Sequence, residues 1–245
     1  MKNSARYFLL LLFSVMIISC SKSGADCFNN SGEIILQSRI VPSFDSIDMG
    51  DYVNVIIKPS ENYIATVEAG KNIVPGISTE VKGRCLYIRN NNVCNWVRDY
   101  NKPINVYVEV NNLSSISYNS SGNLTCKDTI RADIFNLDIW GGCGTIDLTF
   151  VADQGFFLYH LGSADVKLRG RINVNSVYQG DYGPMHCENL KTLYSYVINN
   201  SSNDCWIWST EYLDATVNSI GNIYYKGYPR EFITKVNGSG KVISF

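Results

Sequence analysis

The sequence predicts an all-β protein whose larger part is a single-stranded parallel β-helix, a solenoid of about 19–20 residues per repeat preceded by a β-rich N-terminal portion. Three observations predict it. A turn of small and polar residues recurs at near-constant spacing, short strands of alternating polarity lie between the turns, and Tyr, Asn, Ser, Val and Ile are plentiful while Ala and Glu are scarce. β-Branched and aromatic side chains suit a pleated, half-buried surface, whereas Ala and Glu favour helices.

The chain opens on an export signal. Lys2 and Arg6 precede an apolar run from Tyr7 to Ile18, interrupted only by Ser14, and Ile17-Ile18-Ser19-Cys20 then places a cysteine behind a small residue. The run is about a dozen residues, against the roughly 20 that a membrane-spanning helix needs, and polar residues follow at once. Residues 1–19 therefore read as a signal peptide and Cys20 as a lipidation site. Residues 20–32 are small and polar and form a tether. Without residues 1–19, 226 of the 245 remain, and losing Lys2 and Arg6 takes the 21 basic residues to 19 against 22 acidic ones, a net charge of about −3. No basic patch suggests nucleic acid.

Residues 33–112 carry alternating β runs closed by turn signals. Tyr52–Ile57 stops at Pro59, Tyr63–Glu68 stops at Gly70, and Ile104–Val110 follows Pro103. Pro75 limits the one helical candidate, Lys71–Val74, to a turn. Arg84–Arg89 and Val93–Val97 flank Asn90-Asn91-Asn92 and predict a hairpin. Its turn brings Cys85 opposite Cys94, within reach of a disulfide. Seven cysteines besides Cys20 leave at least one thiol free or paired between chains, and none has a Cys-x-x-Cys or Cys/His spacing that would hold zinc.

Residues 113–245 carry the repeat. The third residue of each turn is Gly122, Gly144, Ala164, Gly183, Ser202, Gly221 and Gly240, at spacings of 22, 20, 19, 19, 19 and 19. A β-sandwich also uses short strands and many turns, but its spacing would not stay so constant. One such unit cannot bury its own apolar face, so units must stack. A constant offset of 19 puts Leu137, Phe156, Asn175, Tyr194, Leu213 and Phe232 in one inward column. It puts Ile139, Leu158, Val177, Tyr196, Ala215 and Thr234 in another. Leu124, Ile146, Val166, Met185, Ile223 and Val242 line the strand after the turn, with Asp204 as the one polar break.

Several short motifs then occur in a characteristic order. Phe44-Asp45-Ser46-Ile47-Asp48 is followed by Val53-Asn54-Val55-Ile56, Thr66-Val67-Glu68-Ala69, Thr79-Glu80-Val81 and Leu86-Tyr87-Ile88. Ile104-Asn105-Val106-Tyr107-Val108 next leads into Leu113-Ser114-Ser115-Ile116, and Asn237-Gly238-Ser239-Gly240 is the cleanest copy of the turn. Over roughly residues 40–245 the chain resembles the putative auto-transporter adhesins with a head GIN domain, common in bacterial lipoproteins. Asn200–Asp204, which lacks glycine, and the high cysteine content depart from that pattern. The resemblance implies a right-handed β-helix and a surface or adhesive role, with no catalytic residues and no cofactor.

Motifs for chemistry are absent. No Gly-x-Ser-x-Gly elbow, phosphate-binding loop or His-Glu-x-x-His occurs. His160, placed inward two residues after Leu158, and His186 read as structural. β-Helices also host polysaccharide-cleaving enzymes, whose chemistry needs paired carboxylates. Asp138 and Asp214 share an outward column but lie four rungs apart, about 19 Å. That exceeds the roughly 5–9.5 Å that spans a glycosidic bond. Asp147 and Asp165 differ in phase, and Asp181 sits in a turn where Asp serves the backbone. The chain is therefore not read as an enzyme.

Tyr118, Trp140, Tyr159 and Tyr178, spaced 22, 19 and 19, make the candidate binding site: an outward aromatic strip about 15 Å long, opposite Ile139, Leu158 and Val177. Such a strip either stabilises the coil or binds. The expected function is an outer-membrane lipoprotein of the cell envelope, periplasmic or surface-exposed. It is held to the membrane by its N-terminal lipid and binds a surface glycan or an envelope protein. The alternatives are a structural component of an envelope complex and a polysaccharide-degrading enzyme on the same scaffold.

Overall fold

The computed structural model describes residues 30–92 and 102–245. Cys20, Cys94 and the expected strand Val93–Val97 lie outside them. The strands in chain order are β1 (Ile34–Ile40), β2 (Ser46–Asp51), β3 (Asn54–Pro59), β4 (Ile64–Gly70), β5 (Ile77–Lys82), β6 (Cys85–Asn90), β7 (Asn105–Val110) and β8 (Ser115–Ser120). Then follow β9 (Leu124–Gly142), β10 (Thr145–Tyr159), β11 (Asp165–Gln179), β12 (Met185–Asn199), β13 (Cys205–Val217), β14 (Ile223–Lys226), β15 (Glu231–Val236) and β16 (Val242–Ser244). A single 3-10 turn at Val74–Gly76, with Pro75 inside it, is the only helical element among the described residues.

The chain is a β-solenoid of about six turns. β9 to β13 are long strands that bend midway, so each supplies one rung to each of two facing walls. The first wall runs β1-β4-β7-β3, then the first halves of β9 to β13, then β14 and β16. The second runs β5-β6-β2-β8, then the second halves, then β15. From β3 and β2 onward every pairing is parallel, because each coil advances one rung without reversing. Both walls thus run without a break into the N-terminal portion, where β2 and β3 form a rung of their own.

The core lies between the walls. Leu137, Phe157, Val177, Val197 and Ala215 stack in register and are almost wholly buried. Phe150 packs between Phe135 and Phe157, with ring centroids 4.5 and 5.9 Å away. Each fully buried ring of this kind contributes about 1.5–3 kcal/mol.

This register corrects the constant offset of 19. Phe157, not Phe156, stacks on Leu137, and Tyr159, not Leu158, stacks on Ile139. Phe156, Leu158, Tyr194, Tyr196 and Phe232 were expected inside; none of them is buried. Asp204 also leaves the core, because Cys205 pairs with Met185 and Ile223 and takes the inward place. The coil from Met185 to Cys205 takes 20 residues, one more than the expected offset, and the Asn199 side chain holds the glycine-free turn before Cys205. Asn199 Nδ2 donates to the Asn203 and Asn222 carbonyls at 3.0 and 3.1 Å, and Oδ1 accepts from Ser201 N–H at 2.8 Å.

The second strand of the hairpin expected around Asn90–Asn92 lies outside the described residues; among these, β6 pairs antiparallel with β5 on one edge and parallel with β2 on the other. Cys85 carries a free thiol, as do Cys126, Cys143, Cys187 and Cys205. Burial pushes the Cys126 thiol up to about 11 and the enclosed Cys187 and Cys205 thiols further in the same direction. These three behave as small apolar core residues.

Candidate binding face

The structure divides the four predicted strip residues. Tyr118 and Tyr159 are fully buried, Trp140 is 53% exposed and Tyr178 is half-buried. The physical reason is the 20-residue rung: Tyr118, Ile139, Tyr159, Gln179, Asn199 and Val217 occupy one inward column. Its polar members saturate the turns. Tyr118 Oη donates to the Gly122 carbonyl at 2.8 Å and accepts from Gly144 N–H at 3.0 Å. Tyr159 Oη donates to the Ala164 carbonyl at 3.1 Å, and Gln179 Nε2 donates to the Gly183 carbonyl at 2.7 Å. Burial pushes the Tyr118 hydroxyl up to about 12, and that of Tyr159 also upward. These side chains are structural because a buried carbonyl without a donor costs about 1–3 kcal/mol.

A shorter outward stack survives at the corner beside the turns. His160, expected inward, lies half-buried against Trp140, with centroids 3.9 Å apart and planes within 11°. Tyr178 follows at 5.8 Å. Its hydroxyl accepts from Asn200 Nδ2 at 3.2 Å.

On the first wall, His186, Trp206 and Tyr224 form a second ladder that the sequence reading missed. Their centroids are 4.3 and 5.6 Å apart and their planes within 11°. Both faces of Trp206 are therefore covered by neighbouring rings. A sugar stacks on an open ring face, so this ladder offers mainly its edge. Trp208 beside it is flanked by the ammonium groups of Lys191 and Lys226, each 4.7 Å from the ring centre.

The outward side of the second wall is different. Val174, Tyr194 and Tyr212 form one column, Leu158, Tyr178 and Ile198 another, and Phe156 and Tyr196 lie between them with Ser176. Tyr194, Tyr196 and Ile198 are 42%, 44% and 42% exposed. The Tyr196 and Tyr212 rings are tilted by 48° at 5.5 Å, so their flat sides are not masked as in the first-wall ladder. Contiguous exposed apolar and tyrosine surface on a rigid sheet is the composition of interaction sites, where Tyr supplies area at little entropic cost. The slipped register that hid Tyr118 and Tyr159 is what brings Tyr194 and Tyr196 to the surface. Sequence reasoning had placed both in the core.

The carboxylates do not gather. Asp138 and Asp214 fall in adjacent columns rather than one, still four rungs apart. Asp147 and Asp165 do face the same side, but Asp147 holds Arg169 through both oxygens and Asp165 accepts from Lys167 at 2.6 Å. Asp181 accepts from Gly162 N–H at 2.6 Å, the backbone role expected of it. Among the described residues no group of three or more His, Cys, Asp or Glu is placed to hold a metal, and no helix is long and apolar enough to cross a membrane.

Comparison with known proteins agrees with the geometry. The family model described as putative auto-transporter adhesin, head GIN domain, matches residues 43–229. A crystal structure of a putative adhesin from Bacteroides fragilis is 22% identical and covers 89% of this chain and 100% of its own, with a TM-score of 0.82. A putative adhesin from Parabacteroides distasonis is 18% identical over 88% of this chain and 99% of its own, with a TM-score of 0.66. A putative lipid binding protein from the same species is 16% identical over 89% and 99%, also at 0.66. At these identities the likeness is one of fold. None of the curated proteins matches the chain.

Proposed function

This chain belongs to the family of the putative auto-transporter adhesin, head GIN domain, and on that premise we propose that it is a cell-envelope adhesin that docks a partner protein on the outward face of its second wall. The observation that carries the reading is the exposed Tyr194, Tyr196 and Ile198 surface, continuous with Phe156, Leu158 and Tyr178. A flat apolar face of this kind fits the flat apolar centre of a protein interface. A glycan partner would call for a set of polar groups around the open ring faces, whereas the neighbours here are mainly apolar, so a protein is favoured over a sugar.

Beads coated with the full chain provide the test, presented to immobilised envelope and surface proteins and to a glycan array. Tyr194→Ser/Tyr196→Ser should cut bead retention on the protein partner at least tenfold, since a tyrosine at the energetic centre of an interface contributes about 2 kcal/mol or more. Unchanged retention would reject the face. Retention on glycans alone would replace the protein partner by a sugar.

Attachment is proposed through Cys20, acylated after residues 1–19 are removed. The support is the charged start, the short apolar run and the small residue before the cysteine. Metabolic fatty-acid labelling should mark the wild-type chain and not Cys20→Ala. Equal label in both would refute the anchor.

A further inference from the structure

We infer that the C-terminal end of the solenoid is a homodimer interface, in which β15 pairs antiparallel with β15 of a second copy. Among the described residues β15 bonds only β13, so its outer edge presents unpaired backbone groups. All six of its residues are exposed. Phe232, Thr234 and Val236 continue the inward columns of Leu213, Ala215 and Val217, yet Phe232 is 44% and Val236 50% exposed where those three are fully buried. They sit in core columns, and among the described residues no further rung covers them. An open solenoid end with an unblocked edge is a template for another strand.

The sequence of β15 specifies which strand fits. Its outward residues are Glu231, Ile233 and Lys235, and the strand reads Glu-Phe-Ile-Thr-Lys-Val. In an antiparallel pair centred on Ile233, Glu231 faces Lys235 of the partner copy and Lys235 faces Glu231 of the partner copy. Ile233 meets its counterpart, and Phe232 lies opposite Thr234 on the inward side. The charges are therefore complementary under a two-fold axis, as an isologous contact requires. At the other end, β1 contains Arg39 and no acidic residue, so it offers no partner for its own cation, and on β5 Glu80 and Lys82 already pair with each other at 3.0 Å. Pairing at β15 leaves both second-wall faces uncovered, so the dimer would present two binding faces at once.

Sedimentation of the full chain in detergent tests this, with charge reversal as the decisive comparison. The wild type should be a dimer at about 100 μM, and Glu231→Lys or Lys235→Glu alone should raise the dissociation constant at least tenfold. The double variant Glu231→Lys/Lys235→Glu restores both opposite-charge contacts and should return the constant to within about threefold of wild type. Because both residues are exposed, unfolding curves of all three variants should overlay that of the wild type. A wild-type monomer at that concentration, single reversals without effect, or a double variant that stays monomeric would each overturn the proposal. Open-ended assemblies would also do so, by indicating head-to-tail contact instead.

Discussion

Tyr159→Ala should lower the unfolding free energy by about 3–5 kcal/mol, whereas Trp140→Ala should cost only about 1 kcal/mol. The two aromatic residues are 19 positions apart and alike in the sequence pattern, but the structure puts them on opposite sides of the wall. Tyr159 is 0% exposed, fills the space beneath Gly183 of the next turn and donates its hydroxyl to the Ala164 carbonyl. Its removal opens a cavity and orphans a carbonyl. Trp140 loses only its stack on His160. Denaturant unfolding at unchanged m-value separates the two. A loss below 1 kcal/mol for Tyr159→Ala, or above 3 kcal/mol for Trp140→Ala, would show that the inward column is wrongly assigned.

The second large effect is expected at Gly170. Its φ is +114°, and a Cβ there would lie 1.9 Å from the Phe150 carbonyl oxygen of the rung before. Gly170 also stands in register between Phe150 and Leu190, both buried, so the small residue separates two large ones. Gly170→Ala should therefore cost at least about 3 kcal/mol, since backbone strain of about 1–3 kcal/mol is added to an overlap that forces two rungs apart. Gly83→Ala is the control. Gly83 has φ +62° but nothing within 4 Å of its would-be Cβ, so only the left-handed penalty of roughly 1–2 kcal/mol applies. Similar losses in thermal or denaturant unfolding for both would mean that rung contact at Gly170 is not the cause.

The period of the solenoid was legible because its turns need small residues where one backbone crosses close over another. A Cβ on Gly122, Gly221 or Gly240 would sit 2.1 Å from a carbonyl oxygen of a neighbouring coil. The register was not legible, because the coils are unequal. Ile139, Tyr159, Gln179, Asn199 and Val217 stack on one another at intervals of 20, 20, 20 and 18. Extra residues are taken up where the rungs shift register, between His186 and Lys191 and between Thr192 and Tyr194. A slip of one residue reverses which side chains face out. Gln179 and Asn199 hid the true column further, since hydropathy reads them as surface residues while their amides serve buried turn carbonyls. A strand signal in Arg84–Arg89 likewise does not reveal that the edges of β6 are taken by β2 and β5, one of them 39 residues away in sequence.

The most direct test of the account compares the two outward walls in one binding assay. Tyr194→Ser/Tyr196→Ser alters the second wall and His186→Ala/Trp206→Ala the first-wall ladder, each in the full chain on the same beads and the same immobilised protein. The account predicts retention reduced at least tenfold for the tyrosine pair and within about twofold of wild type for the ladder pair. The reverse order, with the ladder pair losing retention and the tyrosine pair keeping it, would contradict the placement of the binding face on the second wall.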